Sequence, residues 1–233
     1  MKPRICVPLP ATELPELDPM ISRAEKVGAD LLEIRLDYLN MRAPDAMEKL
    51  ERTVGRASVP VIATNRQYKQ GGYRLQNEEE RVQTLIRAAT VGFQYVDLEL
   101  TTVELKSVVK KVRDPGATPI VSFHDLEGTP EESEMEKITE SQIEAGAEIC
   151  KLVTTANELS DSIRCLDFTR RISETSRIVC FAMGRKGVLS RALSPFFGGR
   201  FTFASLERGL ETASGQISIA ELKELYGKLG VDG

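Results

Sequence analysis

Residues 119–124 read Pro-Ile-Val-Ser-Phe-His, and residues 148–153 read Glu-Ile-Cys-Lys-Leu-Val. Each run is short, apolar and rich in β-branched or aromatic residues, which is the composition of a buried strand. Each also carries a residue for which apolar packing has no use. His124, the one histidine of the chain, closes the first run, and Lys151 lies inside the second. Six further runs of the same character occupy residues 5–7, 31–36, 59–63, 95–100, 177–182 and 200–204.

Most of the gaps between these runs carry a helical pattern. Val82, Leu85, Ile86 and Ala89 fall on one helical face, after Asn77 with Glu80 three residues on, which resembles a capping box. Thr129-Pro130-Glu131-Glu132 reads as a cap followed by proline at the first helical position and acid at the third. Ser218 with Glu221 repeats the box before the last helix, and Gly28, Gly92 and Gly146 follow helical patterns as C-terminal stops. Strand and helix therefore alternate about eight times, which predicts a parallel sheet with helical crossovers. In 233 residues that count predicts an α/β fold of the (β/α)8 TIM barrel type, one domain over residues 1–233. The rival, an open doubly wound sheet, lacks its usual phosphate loop: no GxGxxG or Walker sequence follows the first strand. No Pro/Gly/Ser-rich linker divides the chain, and segments 70–74 and 184–187 read as working loops.

Composition narrows the function. With 41% hydrophobic and 28% charged residues the chain is globular, and its net charge of −4 comes without a basic block. That argues against nucleic acid or an anionic membrane as partner. Pro3, Pro8 and Pro10 break the only apolar stretch near the N-terminus, so no secretory signal is expected, and no stretch reaches the ~18 apolar residues of a membrane span. Cys6, Cys150, Cys165 and Cys180 are scattered without CxxC spacing, as expected of reduced thiols in a cytoplasmic protein with no metal site.

In such barrels the active site lies at the carboxyl ends of the strands. Glu33, Arg35 and Asp37 alternate along strand two and share one face, as do Asp97 and Glu99 on strand four. Strand three runs into Thr64 and Arg66, strand five ends at His124, strand six holds Lys151, and strand seven leads to Met183 with Arg191 beyond it. Singly, a strand carboxylate or arginine is ordinarily half of a structural ion pair, and a histidine after a strand is ordinarily a hydrogen-bonded loop residue. Collectively, Glu33, Arg35, Asp97, Glu99 and Lys151 would fill a barrel interior that Val, Ile and Leu normally occupy, at a desolvation cost that function must justify. A neutral lysine amine adds to a ketone and forms an iminium, which acidifies the neighbouring carbon; His124 is the natural base for that proton. The guanidinium forks of Arg35, Arg66 and Arg191 suit a hydroxylated carboxylate. The residue types thus point to cofactor-independent elimination or aldol chemistry on a small anionic ketone.

The motifs in order are Glu33-x-Arg35-x-Asp37, Thr64-x-Arg66 with Gly71-Gly72, Ser122-Phe123-His124-Asp125, Lys151 in Cys-Lys-Leu-Val, Met183-Gly184 with Gly187 and Ser190-Arg191, Phe197-Gly198, Thr202-Phe203-Ala204 and Gly215-Gln216-Ile217. In this order they resemble the type I 3-dehydroquinate dehydratase family, over nearly the whole chain. The resemblance implies that Lys151 forms an imine with the C3 ketone of 3-dehydroquinate. It implies that His124 takes the C2 proton and protonates the departing C1 hydroxyl, giving 3-dehydroshikimate. Glu33, Arg35 and Arg66 would bind ring hydroxyls. Arg191 would hold the carboxylate, with Thr212 and Gln216 helping from a closing loop, and Met183 and Phe203 would wall the ring. It also implies a cofactor-free cytoplasmic homodimer of the shikimate pathway.

The chain departs from the family pattern at three positions. Gln70 stands where many relatives have a glutamate that orients the histidine, so the expectation is a less basic His124 whose imidazole N–H the Gln70 amide accepts, or a substitute carboxylate such as Glu33 or Glu99. Thr212 replaces a serine and keeps the hydroxyl, and Pro8 stands where strand one often ends in serine. The rival activities are a class I aldolase or transaldolase, which shares barrel and lysine, and a non-catalytic small-acid binder with a degenerate site.

Overall fold

The computed structural model describes residues 2–231. Eight strands run in chain order: β1 (Ile5–Leu9), β2 (Leu31–Arg35), β3 (Val61–Thr64), β4 (Tyr95–Glu99), β5 (Thr118–His124), β6 (Ile149–Thr155), β7 (Ile178–Met183) and β8 (Thr202–Phe203). The helices between and after them are α1 (Leu17–Lys26), α2 (Ala46–Val54), α3 (Glu78–Thr90), α4 (Leu105–Arg113), α5 (Glu132–Glu144), α6 (Leu159–Ile172), α7 (Val188–Leu193) and α8 (Ile219–Lys228). All strand pairs are parallel, in the order β7-β6-β5-β4-β3-β2-β1-β8. This is the expected (β/α)8 barrel, closed but for one seam. β8 pairs with β1 alone, and between β7 and β8 the backbone bond is Arg200 N–H to the Ile178 carbonyl, 2.8 Å. Aromatic side chains fill the gap: the rings of Phe181 and Phe203 lie 6.0 Å apart.

The period of two along each strand sorts the interior into layers. On the inward face, Leu31, Ile62, Ile120 and Ile149 lie toward the amino ends of their strands and join one apolar plug with Cys6, Val179 and Phe201. Two residues on, the same face turns polar: Glu33, Thr64, Ser122 and Lys151, all buried. The opposite faces, with Val7, Leu32, Ile34, Ala63 and Val121, pack under the helices in a larger cluster with Ile21, Leu50 and Leu85. An apolar floor and a polar ceiling thus follow from one sequence alternation, and the ceiling sits at the carboxyl ends.

The capping signals mostly hold. The Asn77 side chain accepts the Glu80 N–H at 3.1 Å, and Ser218 and Glu221 form the reciprocal box at α8. Gly28, Gly92 and Gly146 each follow a helix at positive φ, where a side chain would be strained. The start of α5 is displaced. Thr129 does not cap it: its hydroxyl bonds Thr154 Oγ1 (2.8 Å) and the Thr155 carbonyl (3.0 Å) at the end of β6, so Glu131 becomes the N-cap and the helix begins at Glu132. No helix of the described residues is long and apolar enough to cross a membrane, and the four cysteines are buried and free.

Candidate active site

A cavity of about 340 Å³ opens at the carboxyl ends of the strands. Glu33, Arg35, Arg66, Gln70, His124, Lys151, Met183, Arg191, Phe203, Thr212 and Gln216 all line it, while Asp37, Asp97 and Glu99, which the sequence also places at these strand ends, are buried outside the lining. Lys151 pairs in register with Ser122, and His124 stands two residues beyond Ser122 on the same face. The two candidate reactive groups therefore rise from adjacent strands, offset by about 6.6 Å along the strand axis.

Lys151 Nζ is held from three sides. It donates to Asp97 Oδ2 (2.8 Å), lies 3.5 Å from Glu33 Oε1, and sits 4.4 Å above the Phe203 ring. Asp97 is in turn fixed by Arg66 Nη2 (2.7 Å) and by the Ser122 hydroxyl (2.5 Å). Arg66 Nη1 donates to Glu99 Oε1 (2.9 Å) and Ser122 Oγ (2.7 Å). Burial alone would raise the Asp97 pKa, but the Arg66 and Lys151 cations outweigh it and hold the carboxyl well below the usual carboxylate range. Asp97 thus stays an anion and serves as counter-ion, not as a base. Glu33 accepts the Thr64 hydroxyl at 2.8 Å, which aims its carboxylate at the lysine.

His124 is placed differently from expectation. Gln70 Oε1 accepts the backbone N–H of His124 (3.0 Å), and Gln70 Nε2 donates to Thr101 Oγ1 (2.9 Å), so the amide is spent before it reaches the ring. The enclosed imidazole Nδ1 has no hydrogen-bond partner among the described residues. Nor do the proposed substitutes serve: Glu33 is taken by Thr64 and Lys151, and Glu99 by Arg66, the Gln67 N–H and Arg81. Burial, followed by the Arg66 and Lys151 charges, lowers the His124 pKa well below its usual 6.5, as the missing carboxylate leads one to expect. At neutral pH the ring is therefore uncharged and free to accept a proton.

The arginines divide by partner. Arg35 grips Asp37 with two bonds (2.8 and 2.6 Å), and Arg66 is neutralised by Asp97 and Glu99. Arg191, equally buried, makes no carboxylate contact among the described residues. It donates from Nη2 to the Ser214 carbonyl (3.2 Å), lies 4.4 Å over the Phe181 ring, and leaves Nε unpartnered. Burial without a counter-ion pulls its pKa down to about 9, so it remains a cation at neutral pH and lacks an anion. The segment that caps it is internally braced. Gln216 Oε1 accepts the Thr212 N–H (2.8 Å), Gln216 Nε2 donates to Thr212 Oγ1 (3.2 Å), and the Ser214 carbonyl accepts the Gly184 N–H (3.1 Å). Gly215 approaches the Gly184 backbone so closely that a Cβ would collide with its carbonyl oxygen.

Several further residues complete the wall. Val153 and Thr155 stand two and four residues beyond Lys151, and Phe181 two before Met183; strand period alone marks all three as inward. Leu126 and Ser214 come from loops and carry no such signal. Pro8, paired with Glu33 in register, is buried and contributes no donor.

Comparison with known proteins agrees with this geometry. The family model for type I 3-dehydroquinase matches residues 5–232. A 3-dehydroquinate dehydratase of Dehalococcoides mccartyi (strain BAV1) is 35% identical over 224 residues, covering 96% of this chain and 95% of its own. One from Methanosarcina mazei is 34% identical over 209 residues, covering 87% and 86%. The crystal structure of 3-dehydroquinate dehydratase from Geobacillus kaustophilus superposes with a TM-score of 0.88 at 25% identity, covering 99% of this chain and 92% of that one. The chain therefore belongs to the type I 3-dehydroquinase family.

Proposed function

We propose that the protein dehydrates 3-dehydroquinate to 3-dehydroshikimate through an imine on Lys151, with His124 as the proton carrier. The observation that carries this is the placement of an amine and an uncharged imidazole on one inward face, beside a buried arginine that meets no carboxylate among the described residues. Arg191 takes the substrate carboxylate, since Arg35 and Arg66 are already neutralised and have only further N–H donors to offer to hydroxyls. The neutral Lys151 amine adds to the C3 ketone, and loss of water leaves an iminium. His124 removes the C2 proton, and the electron pair moves into the iminium to give an enamine. The enamine then expels the C1 hydroxyl, which leaves as water with the proton that His124 carries. A second water hydrolyses the conjugated iminium and restores Lys151, so the net change is loss of one water. Asp97 and Glu33 face the nitrogen and stabilise its cationic forms.

Membership of this family displaces the aldolase reading, and the intact set of cavity residues speaks against a degenerate binder. The test is to incubate the protein with 3-dehydroquinate, reduce with borohydride, and map the adduct by mass spectrometry. A product-sized mass on Lys151 is expected, and Lys151→Ala should abolish it. No adduct, together with no rise in absorbance from the conjugated product, would overturn the proposal.

A further inference from the structure

Arg81 is the outlier of helix α3. Its neighbours on the buried face are Val82, Leu85, Ala88 and Ala89, yet it is 2% exposed. From outside the barrel wall it reaches over the ends of β3 and β4. Nη1 donates to Glu99 Oε2 (2.5 Å) and to the Asn65 carbonyl (2.7 Å), while Nε and Nη2 grip Glu78 (2.8 Å each). Glu99 bonds Arg66, Arg66 bonds Asp97, and Asp97 bonds Lys151. An unbroken chain of alternating charge thus runs from half-buried Glu78 on the outer layer to the lysine amine. Its buried anions are Glu33, Asp97 and Glu99, and its buried cations are Arg66, Arg81 and Lys151.

We propose that Arg81, which does not line the cavity, is a positioning residue for Lys151: through Glu99 and Arg66 it fixes the Asp97 counter-ion and balances the charge that decides when the amine becomes neutral. The inference rests on the imine reading above. With Arg81 present the six groups sum to zero while Lys151 is protonated, and to −1 when it is not. Without Arg81 the same states carry −1 and −2, so losing the proton is harder. The other charged or titratable groups around the amine are the Arg35–Asp37 pair, His124, Arg191 and Cys6, and none of them changes in the substitution.

The test follows the rate of borohydride-trapped adduct formation with 3-dehydroquinate against pH, alongside kcat/KM, in wild type and three variants. In Arg81→Gln the rising limb should move to higher pH by about half to one unit, a roughly 3- to 10-fold loss on the limb, with KM nearly unchanged. Arg81→Lys should restore the limb. Glu78→Gln, which removes the anion at the outer end, should move it the opposite way. A folded Arg81→Gln variant with lowered Tm but an unmoved limb would reduce Arg81 to a structural role and overturn the inference. If Arg81→Gln does not fold, an unmoved limb in Glu78→Gln overturns it instead. Wild-type protein that forms no adduct on Lys151 sinks the imine reading itself, a failure distinct from an adduct whose pH dependence ignores residues 78 and 81.

Discussion

The side-chain amide of Gln70 holds His124 by its backbone, with Oε1 3.0 Å from the His124 nitrogen, and leaves the imidazole Nδ1 unbonded among the described residues. The strand end is thereby fixed while the ring itself is not. A histidine held this way has its position set by the main chain and its basicity set by burial and the nearby cations.

Because His124 is the one histidine, its ring protons can be followed by NMR without assignment. The titration midpoint should fall below the usual 6.5. The unfolded chain then binds a proton that the folded chain refuses, so the histidine's contribution to stability should be lost as pH falls from 6.5 toward the folded midpoint, and be constant above 6.5. A midpoint at or above 6.5 would contradict the enclosure described for the ring.

Replacing Gln70 by glutamate puts a negative charge beside that strand end. Gln70→Glu should raise the His124 midpoint, by about one unit at the separations of neighbouring residues in a cavity wall. The limb of kcat/KM that reports the histidine should move with it. An NMR midpoint that stays put would show the carboxylate to be screened from the ring.

Arg191→Leu removes a buried cation that has no carboxylate partner among the described residues. The variant should melt at or above the wild-type temperature, since an uncompensated charge is exchanged for apolar contact with Phe181. Its KM for a carboxylate substrate should rise by roughly 30-fold or more, the cost of a lost buried charge pair. Calorimetry and steady-state kinetics on the same preparation check both arms, and a large loss of stability would mean that Arg191 is chiefly structural.

Gly215→Ala tests the loop that carries Thr212 and Gln216. The added methyl meets the Gly184 carbonyl, and the residue's φ of 77° already disfavours a side chain. KM should rise several-fold while the melting temperature of the barrel shifts little, because the strands are untouched. Unchanged kinetics would show that the loop does not reach the substrate.

Barrel and site were legible in the sequence for one shared reason. The inward faces of β2, β3, β5 and β6 turn from apolar to polar within two residues, as at Leu31 to Glu33 or Ile149 to Lys151, and that change is visible as alternation. What escaped depends on direction rather than period. Thr129 has the right chemistry for an N-cap, but its hydroxyl is closer to β6 than to the helix it precedes. Gln70 has the right neighbour but bonds its backbone instead of its ring. Arg81 looks like one more charged residue on a charged helix until the structure shows its guanidinium turned inward to Glu99. No local pattern encodes these choices, because each is decided by a partner distant in sequence.

The unzipped edge between β7 and β8 bears on how the barrel moves. Seven strand-to-strand joints are laced by ladders, and this one is held by a single backbone bond and by the rings of Phe181 and Phe203, both of which face the cavity. The wall at that point can widen or narrow by sliding rings past one another, with no ladder to break. Amide hydrogen exchange should therefore be fastest, among the strands, at Phe203, since the Thr202 N–H is tied to the Arg4 carbonyl (2.9 Å) on the β1 side. The side of the cavity nearest Arg191 is therefore where the cylinder should yield most easily, and a guest that sits against those rings should stiffen it.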